Sequence, residues 1–212
     1  MRTKNEEKRQ EIVNAAISLF SEKGYYKTSI KDISDKAHMS SGTFYLYYKS
    51  KDDLILDIYH EVHEILGKYL NEKMEMSYSS PEERLVAVSC FLVSKYLENK
   101  KLSVILLTRT IGINRHAENE YYNTFSKSVA NFAGLIQKIP EADYMDIRLT
   151  ATFYVQAMGV AATKWMLADP STRPDFYEVV FMTLRYHLRA LTIEIPDTKL
   201  REYISKYVTV TE

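Results

Sequence analysis

Residues 28–54, TSIKDISDKAHMSSGTFYLYYKSKDDL, hold two short helical patterns, a tight turn and a basic, tyrosine-rich edge within the length of one helix-turn-helix. Ile30, Ile33 and Ala37 recur at helical spacing, and Ser29 followed three residues later by Asp32 reads as a capping box. One helix is therefore expected from about Ser29 to Ala37. Ser40 offers a hydroxyl N-cap for a second helix through Phe44, with Met39 and Phe44 as its apolar anchors. Only His38 and Met39 separate the two, which forces a sharp angle between them.

That angle leaves Ser41, Gly42, Thr43 and Tyr45 to project outward. They are small or hydrogen-bonding, as close approach to a major-groove floor demands, and Thr43 brings both a hydroxyl and a methyl to base edges. Tyr45, Tyr47, Lys49 and Lys51 supply phenols and ammonium groups suited to phosphate oxygens, which fix register without reading sequence. Ser50 and Asp53 repeat the capping spacing and start a further helix, placing Lys51 at its N-terminus. Upstream, Ile12, Ala15, Ala16, Leu19 and Phe20 form a helical stripe that stops at Gly24.

With these features in place, residues 9–56 resemble the N-terminal DNA-binding domain of the TetR family of bacterial transcriptional regulators. The likeness rests on the first-helix stripe, Gly24-Tyr25, Thr28-Ser29, Ile33, Ala37, Ser40, and the run Gly42-Thr43-Phe44-Tyr45 through Tyr48 to Lys51 and Leu54. It implies that Thr28, Ser29 and Ser40 join the DNA-binding set. Two positions depart from the family pattern. His38 stands where Gly is common, so the turn is expected to hold a non-Gly residue at positive φ. Tyr48 stands where Phe is usual, and its hydroxyl needs a partner if buried.

At 212 residues the chain suits a small head and a larger body. Net charge is zero, but residues 1–51 carry ten Lys and Arg against six Asp and Glu, and the rest carry 18 against 22. The head is basic and the body acidic, as expected when one end alone meets phosphates. No apolar run approaches the roughly 18 residues of a membrane span, and MRTKNEEKRQ lacks a signal peptide's apolar core. The expected location is cytoplasmic. The single cysteine, Cys90, lies on an apolar helical pattern and reads as a core residue.

The body reads as helices throughout, with no strand alternation of any length. Leu54, Ile58, Val62, Ile65 and Tyr69 mark a long connecting helix, and Pro81 starts the next, with Leu85, Val88, Leu92 and Tyr96 on one face. Further helical patterns run from about Ala117 to Lys138, Asp143 to Ala168 and Arg173 to Leu191, while the stretch beyond Pro196 reads either as a terminal helix or as a frayed end. The expected fold is all-α, with about nine helices: a three-helix helix-turn-helix DNA-binding domain at 1–51 and a ligand-binding and dimerisation domain at 52–212. The resemblance implies a homodimer through the last two long helices. Two heads related by a twofold axis then read an inverted repeat of double-stranded DNA. Ala157, Gly159, Ala161 and Ala162 permit close helix packing, either across that interface or within one subunit.

Seventeen tyrosines, with Phe, Met and one Trp, could line a cavity for a small hydrophobic or aromatic effector. The candidate ligand contacts are Tyr96, Tyr121, Phe125, Phe153 and Trp165, with Arg109, His116 and Gln156 as orienting polar groups; aromatic residues at helical spacing are more often core, and each of the three polar ones could equally be a solvated or capping group. His60 and His63 lie three apart rather than the four of a zinc-protease helix, there is no Gly-rich phosphate loop or nucleophile elbow, and Cys ligands are unpaired. No catalytic residue, metal site or cofactor is expected. The favoured function is a dimeric repressor released from its operator by an effector. The alternatives are a helical small-molecule binding protein and an effector-independent DNA-binding regulator.

Overall fold

A computed structural model describes residues 4–98, 100–108 and 115–209. Among the described residues the chain is all helical, with ten helices: α1 (Lys4–Lys23), α2 (Ile30–Lys36), α3 (Ser41–Tyr45), α4 (Lys51–Glu75), α5 (Pro81–Glu98), α6 (Lys100–Thr108), α7 (Arg115–Ile136), α8 (Ile147–Leu167), α9 (Phe176–Ala190) and α10 (Asp197–Tyr207). None of them is long and apolar enough to cross a membrane. They form two compact units, one from residues up to 64 together with 101–122, the other from 65–100 and 123–212.

In the first unit α1 buries the stripe Ile12, Ala15, Ala16 and Phe20 against Ile33, Ala37, Phe44, Leu54 and Ile58. Gly24 ends α1 at φ 86°, its N–H donating to Phe20 O at 3.1 Å, the left-handed stop for which glycine carries no Cβ penalty. The Ser29–Asp32 capping box forms: Asp32 N–H donates to Ser29 Oγ (3.1 Å) and Ser29 N–H to Asp32 Oδ2 (2.7 Å). At the other end of α2, Met39 N–H donates to Ser34 O and His38 N–H to Asp35 O. This is the Schellman closure, with His38 in the left-handed position at φ 55°.

The second unit is built around α5, which buries every residue from Leu85 to Ser94 and so has no solvated face along that stretch. α8 and α10 pack on it, and α9 packs on both of those. Cys90 is fully buried, and burial pushes its thiol pKa up. Tyr154, equally buried, shares a 2.9 Å hydrogen bond with the Ser89 hydroxyl.

The stretch after Pro196, which the sequence left open, forms a tenth helix. α10 buries Leu200, Tyr203, Ile204 and Tyr207, an i, i+3, i+4, i+7 stripe. Its end is pinned to α5. The Tyr207 hydroxyl (2.7 Å) and Lys206 Nζ (3.0 Å) donate to Glu83 Oε1, Ser79 N–H donates to Glu83 Oε2 (2.8 Å), and Thr209 N–H donates to Ser94 Oγ (3.0 Å). The Tyr207 hydroxyl above all holds the Glu83 carboxyl down to about 2.

Candidate nucleic-acid interface

The angle predicted between α2 and α3 rests on two local devices, the Schellman closure at His38 and the cap at Ser40, whose Oγ accepts from Thr43 N–H at 3.1 Å. Phe44 is fully buried and anchors α3 to the head. At about 100° per residue, Gly42 lies about 160° around from Phe44 and Leu46 about 40° beyond Gly42, so these two face away from the core. A Cβ on Gly42 would meet only Ser40 Oγ, at an ordinary 3.6 Å. The head's own packing therefore does not require glycine there, and the bare backbone leaves room for a closely approaching partner.

Leu46 is 82% exposed and Tyr45 56%. The sequence reading passed over Leu46, although its spacing from Gly42, i to i+4, places it on the same face. An exposed leucine beside small polar residues offers an apolar contact of the kind that thymine methyls accept.

Around this edge Ser29, Ser40 and Lys49 are exposed, while Ser41, Thr43, Tyr47 and Lys51 are half-buried. The Thr43 and Ser40 hydroxyls share a 3.0 Å hydrogen bond. Thr28 is buried, and its hydroxyl donates to Gly24 O at 2.8 Å. Lys51 turns inward: Nζ donates to both Tyr25 O and Thr28 O at 2.8 Å and lies 4.1 Å from the centre of the Tyr25 ring. Burial draws the Lys51 pKa down. Its ammonium thus ties the start of α4 to the turn between α1 and α2, and the Tyr25 hydroxyl donates to Asp52 beside it.

Tyr48, directly beyond α3, is buried, and its hydroxyl donates to Asp57 Oδ2 on α4 at 2.7 Å. The same oxygen accepts from Arg9 of α1 at 2.5 Å, and Arg9 also reaches Glu61 at 3.3 Å. Burial, reinforced by Asp57, raises the Tyr48 pKa, so the phenol stays protonated and donates. The departure from Phe at this position thus supplies a polar clamp joining α1, α4 and the end of α3.

The candidate ligand contacts are more scattered. Trp165 is buried in the second unit's core, where its Nε1 donates to Pro174 O at 2.9 Å and the Arg173 guanidinium lies 3.8 Å over its ring. Tyr96 and Phe125 pack half-buried on that core. Phe153, 60% exposed, and Gln156 stand on the outward face of α8. Arg109 and the side chains of His116 and Tyr121 lie outside the described residues.

Residues 12–58 match the family model for bacterial regulatory proteins of the tetR family. The transcriptional regulator HbdR of Aromatoleum is 38% identical over 80 residues, 38% of this chain and 34% of that protein. The chain therefore spans about a third of that relative's length. The fatty acid metabolism regulator protein of Bacillus subtilis is 24% identical over 170 residues, 76% of this chain and 85% of that protein. Among solved structures, the transcriptional regulator FadR from Bacillus subtilis in complex with stearoyl-CoA superposes with a TM-score of 0.67 at 17% identity, covering 88% of this chain and 99% of the other. The likeness to FadR shows the fold. The helix-turn-helix head thus matches the tetR family of bacterial regulatory proteins over residues 12–58.

Proposed function

We propose that this chain is a dimeric, effector-released transcriptional repressor that reads an inverted repeat through α3. The observation that carries the reading is the outward edge of α3. Gly42 leaves the backbone bare, Leu46 and Tyr45 are exposed beside it, and the helix is fixed from behind by Phe44 and by the Tyr48–Asp57–Arg9 clamp. In this reading residues 1–51 bind DNA and residues 52–212 dimerise and take the effector. Leu46, Thr43 and Gly42 meet base edges, and Ser29, Ser40, Ser41, Tyr45, Tyr47 and Lys49 meet phosphates. Thr28 and Lys51 act from behind by holding the turn that leads into α2.

Dimerisation is supported by apolar side chains left exposed on the last two long helices before α10: Leu149, Phe153, Val160 and Leu167 on α8, and Met182 and Tyr186 on α9. On α8 these fall at spacings of four and seven, one stripe along the helix, and an apolar stripe of this kind marks an association surface. Two heads so paired meet half-sites one helical turn apart, about 10 base pairs, or a multiple of it. The effector is a small hydrophobic or aromatic molecule; the stearoyl-CoA in FadR favours an apolar guest. α4 belongs to both units, so a guest that shifts its second half need favour the released state by only a few kcal/mol.

The test is fluorescence anisotropy of the full chain with DNA from upstream of its own gene. Tight binding that Leu46→Ala weakens mainly on the cognate sequence, and Lys49→Ala weakens on all sequences, supports the assignment. Binding indifferent to both substitutions removes α3 as the reading helix. Loss of binding on adding an apolar effector identifies the repressor mode, and persistence of binding across effectors identifies the effector-independent regulator instead.

A further inference from the structure

In the second unit a crevice of about 190 Å³ opens where α5 begins, lined by Tyr78, Ser79, Ser80, Arg84, Leu135 and Lys138 among others. Two of these are cations, and neither Arg84 nor Lys138 makes an ion pair among the described residues. Arg84 Nε is moreover the buried side-chain nitrogen without a hydrogen-bond partner among the described residues. With Nε shut off from water and unbonded, the guanidinium is left to its outer nitrogens for hydrogen bonding.

We propose that this crevice binds a small tetrahedral oxyanion, a phosphate ion or the phosphomonoester head of an organic molecule. The guanidinium fork matches two oxygens of such a group, which the point charge of a lysine cannot do alone; Lys138 adds the second positive charge at the rim. Ser80 Oγ accepts from Glu83 N–H at 3.2 Å, which leaves its own proton to donate to the anion. The volume is roughly that of six liquid waters, enough for a phosphate and part of its hydration. Nearby carboxylates are turned elsewhere. Glu83 is held by Tyr207, Lys206 and the Ser79 N–H, and Glu82 lines a separate crevice with Glu141. The floor is stiff, because the Tyr78 hydroxyl donates to Lys73 O at 2.6 Å and the Arg84 guanidinium lies 5.6 Å over the Tyr78 ring.

The site is independent of the DNA-reading head, and its test needs no DNA. Isothermal titration calorimetry of the full chain at constant ionic strength uses inorganic phosphate and phenyl phosphate as separate titrants, on wild type, Arg84→Lys, Lys138→Ala and the head variant Lys49→Ala. Saturable binding of at least one titrant is expected. Arg84→Lys, which keeps the charge and loses the fork, should weaken it about tenfold, Lys138→Ala should weaken it severalfold, and Lys49→Ala should leave it unchanged. Tighter binding of phenyl phosphate identifies an organic head group, and tighter binding of inorganic phosphate identifies the free ion. Because Lys138 is exposed, its replacement does not threaten the fold. Affinity unmoved by both Arg84→Lys and Lys138→Ala, affinity lost in Lys49→Ala, or no saturable heat from either titrant overturns the proposal.

Discussion

His38 occupies the left-handed position that closes α2, where a residue with a Cβ is held against its preference by about 1–2 kcal/mol. The Schellman hydrogen bonds from His38 and Met39 fix that conformation, and the same closure recurs at the end of α9 with Thr192 at φ 57°. There the strain is offset by the Thr192 hydroxyl, which donates to Glu141 O at 2.7 Å. His38→Gly is therefore expected to stabilise the protein by about 1 kcal/mol, less the extra freedom glycine brings to the unfolded chain, read as a higher urea midpoint. Thr192→Gly should gain less or lose, because it deletes that hydrogen bond. Tyr48→Phe restores the commoner residue but removes the donor to Asp57, and a hydrogen bond to a charged group is worth about 1.5–3 kcal/mol, toward the lower end where, as here, the carboxylate is partly exposed. A comparable fall in unfolding free energy is expected, together with weaker DNA binding, since the clamp holds the end of α3. Equal stability of the two proteins would show that water replaces the phenol at no cost.

Helix ends in the head were readable because capping is local. Ser29 with Asp32, Gly24, and Ser40 with Thr43 lie within four residues of the groups they satisfy. α10 was not readable in the same way. Its stripe of Leu200, Tyr203, Ile204 and Tyr207 is short, and an isolated helix of that length is marginal in water; Glu83, more than a hundred residues earlier, supplies its anchor. That anchor titrates. The Glu83 carboxyl lies at about 2 when folded, against an ordinary value of 4.5. A depressed folded value stabilises fully above the unfolded one, and the contribution fades as pH falls from about 4.5 toward 2. In denaturant titrations Glu83→Gln should thus be clearly less stable than wild type at pH 7, with the gap closing through that window. A gap independent of pH would mean that packing, rather than the carboxylate, holds α10 in place.

For the whole molecule, the exposed stripe on α8 is the feature on which the dimer proposal depends. Val160, 58% exposed near its centre, faces away from the core that Ala151, Tyr154, Met158, Ala162 and Trp165 form on the opposite side of the helix. Val160→Glu should leave helix content unchanged by circular dichroism while halving the mass in analytical ultracentrifugation. DNA affinity should then fall toward that of a single half-site. A variant that sediments as wild type does would place self-association on another surface.

The sequence alone specified an all-helical chain, the positions of the caps around α2 and α3, and the family of the head, because each follows from residues near one another along the chain. Which way side chains face was settled by the tertiary structure. α8 is apolar almost all round, so its periodicity did not separate Trp165, which is buried, from Phe153, which is exposed. Nor could spacing show that Lys51 turns back to the carbonyls of Tyr25 and Thr28. Burial is a property of what packs against a helix, and those neighbours come from distant parts of the chain.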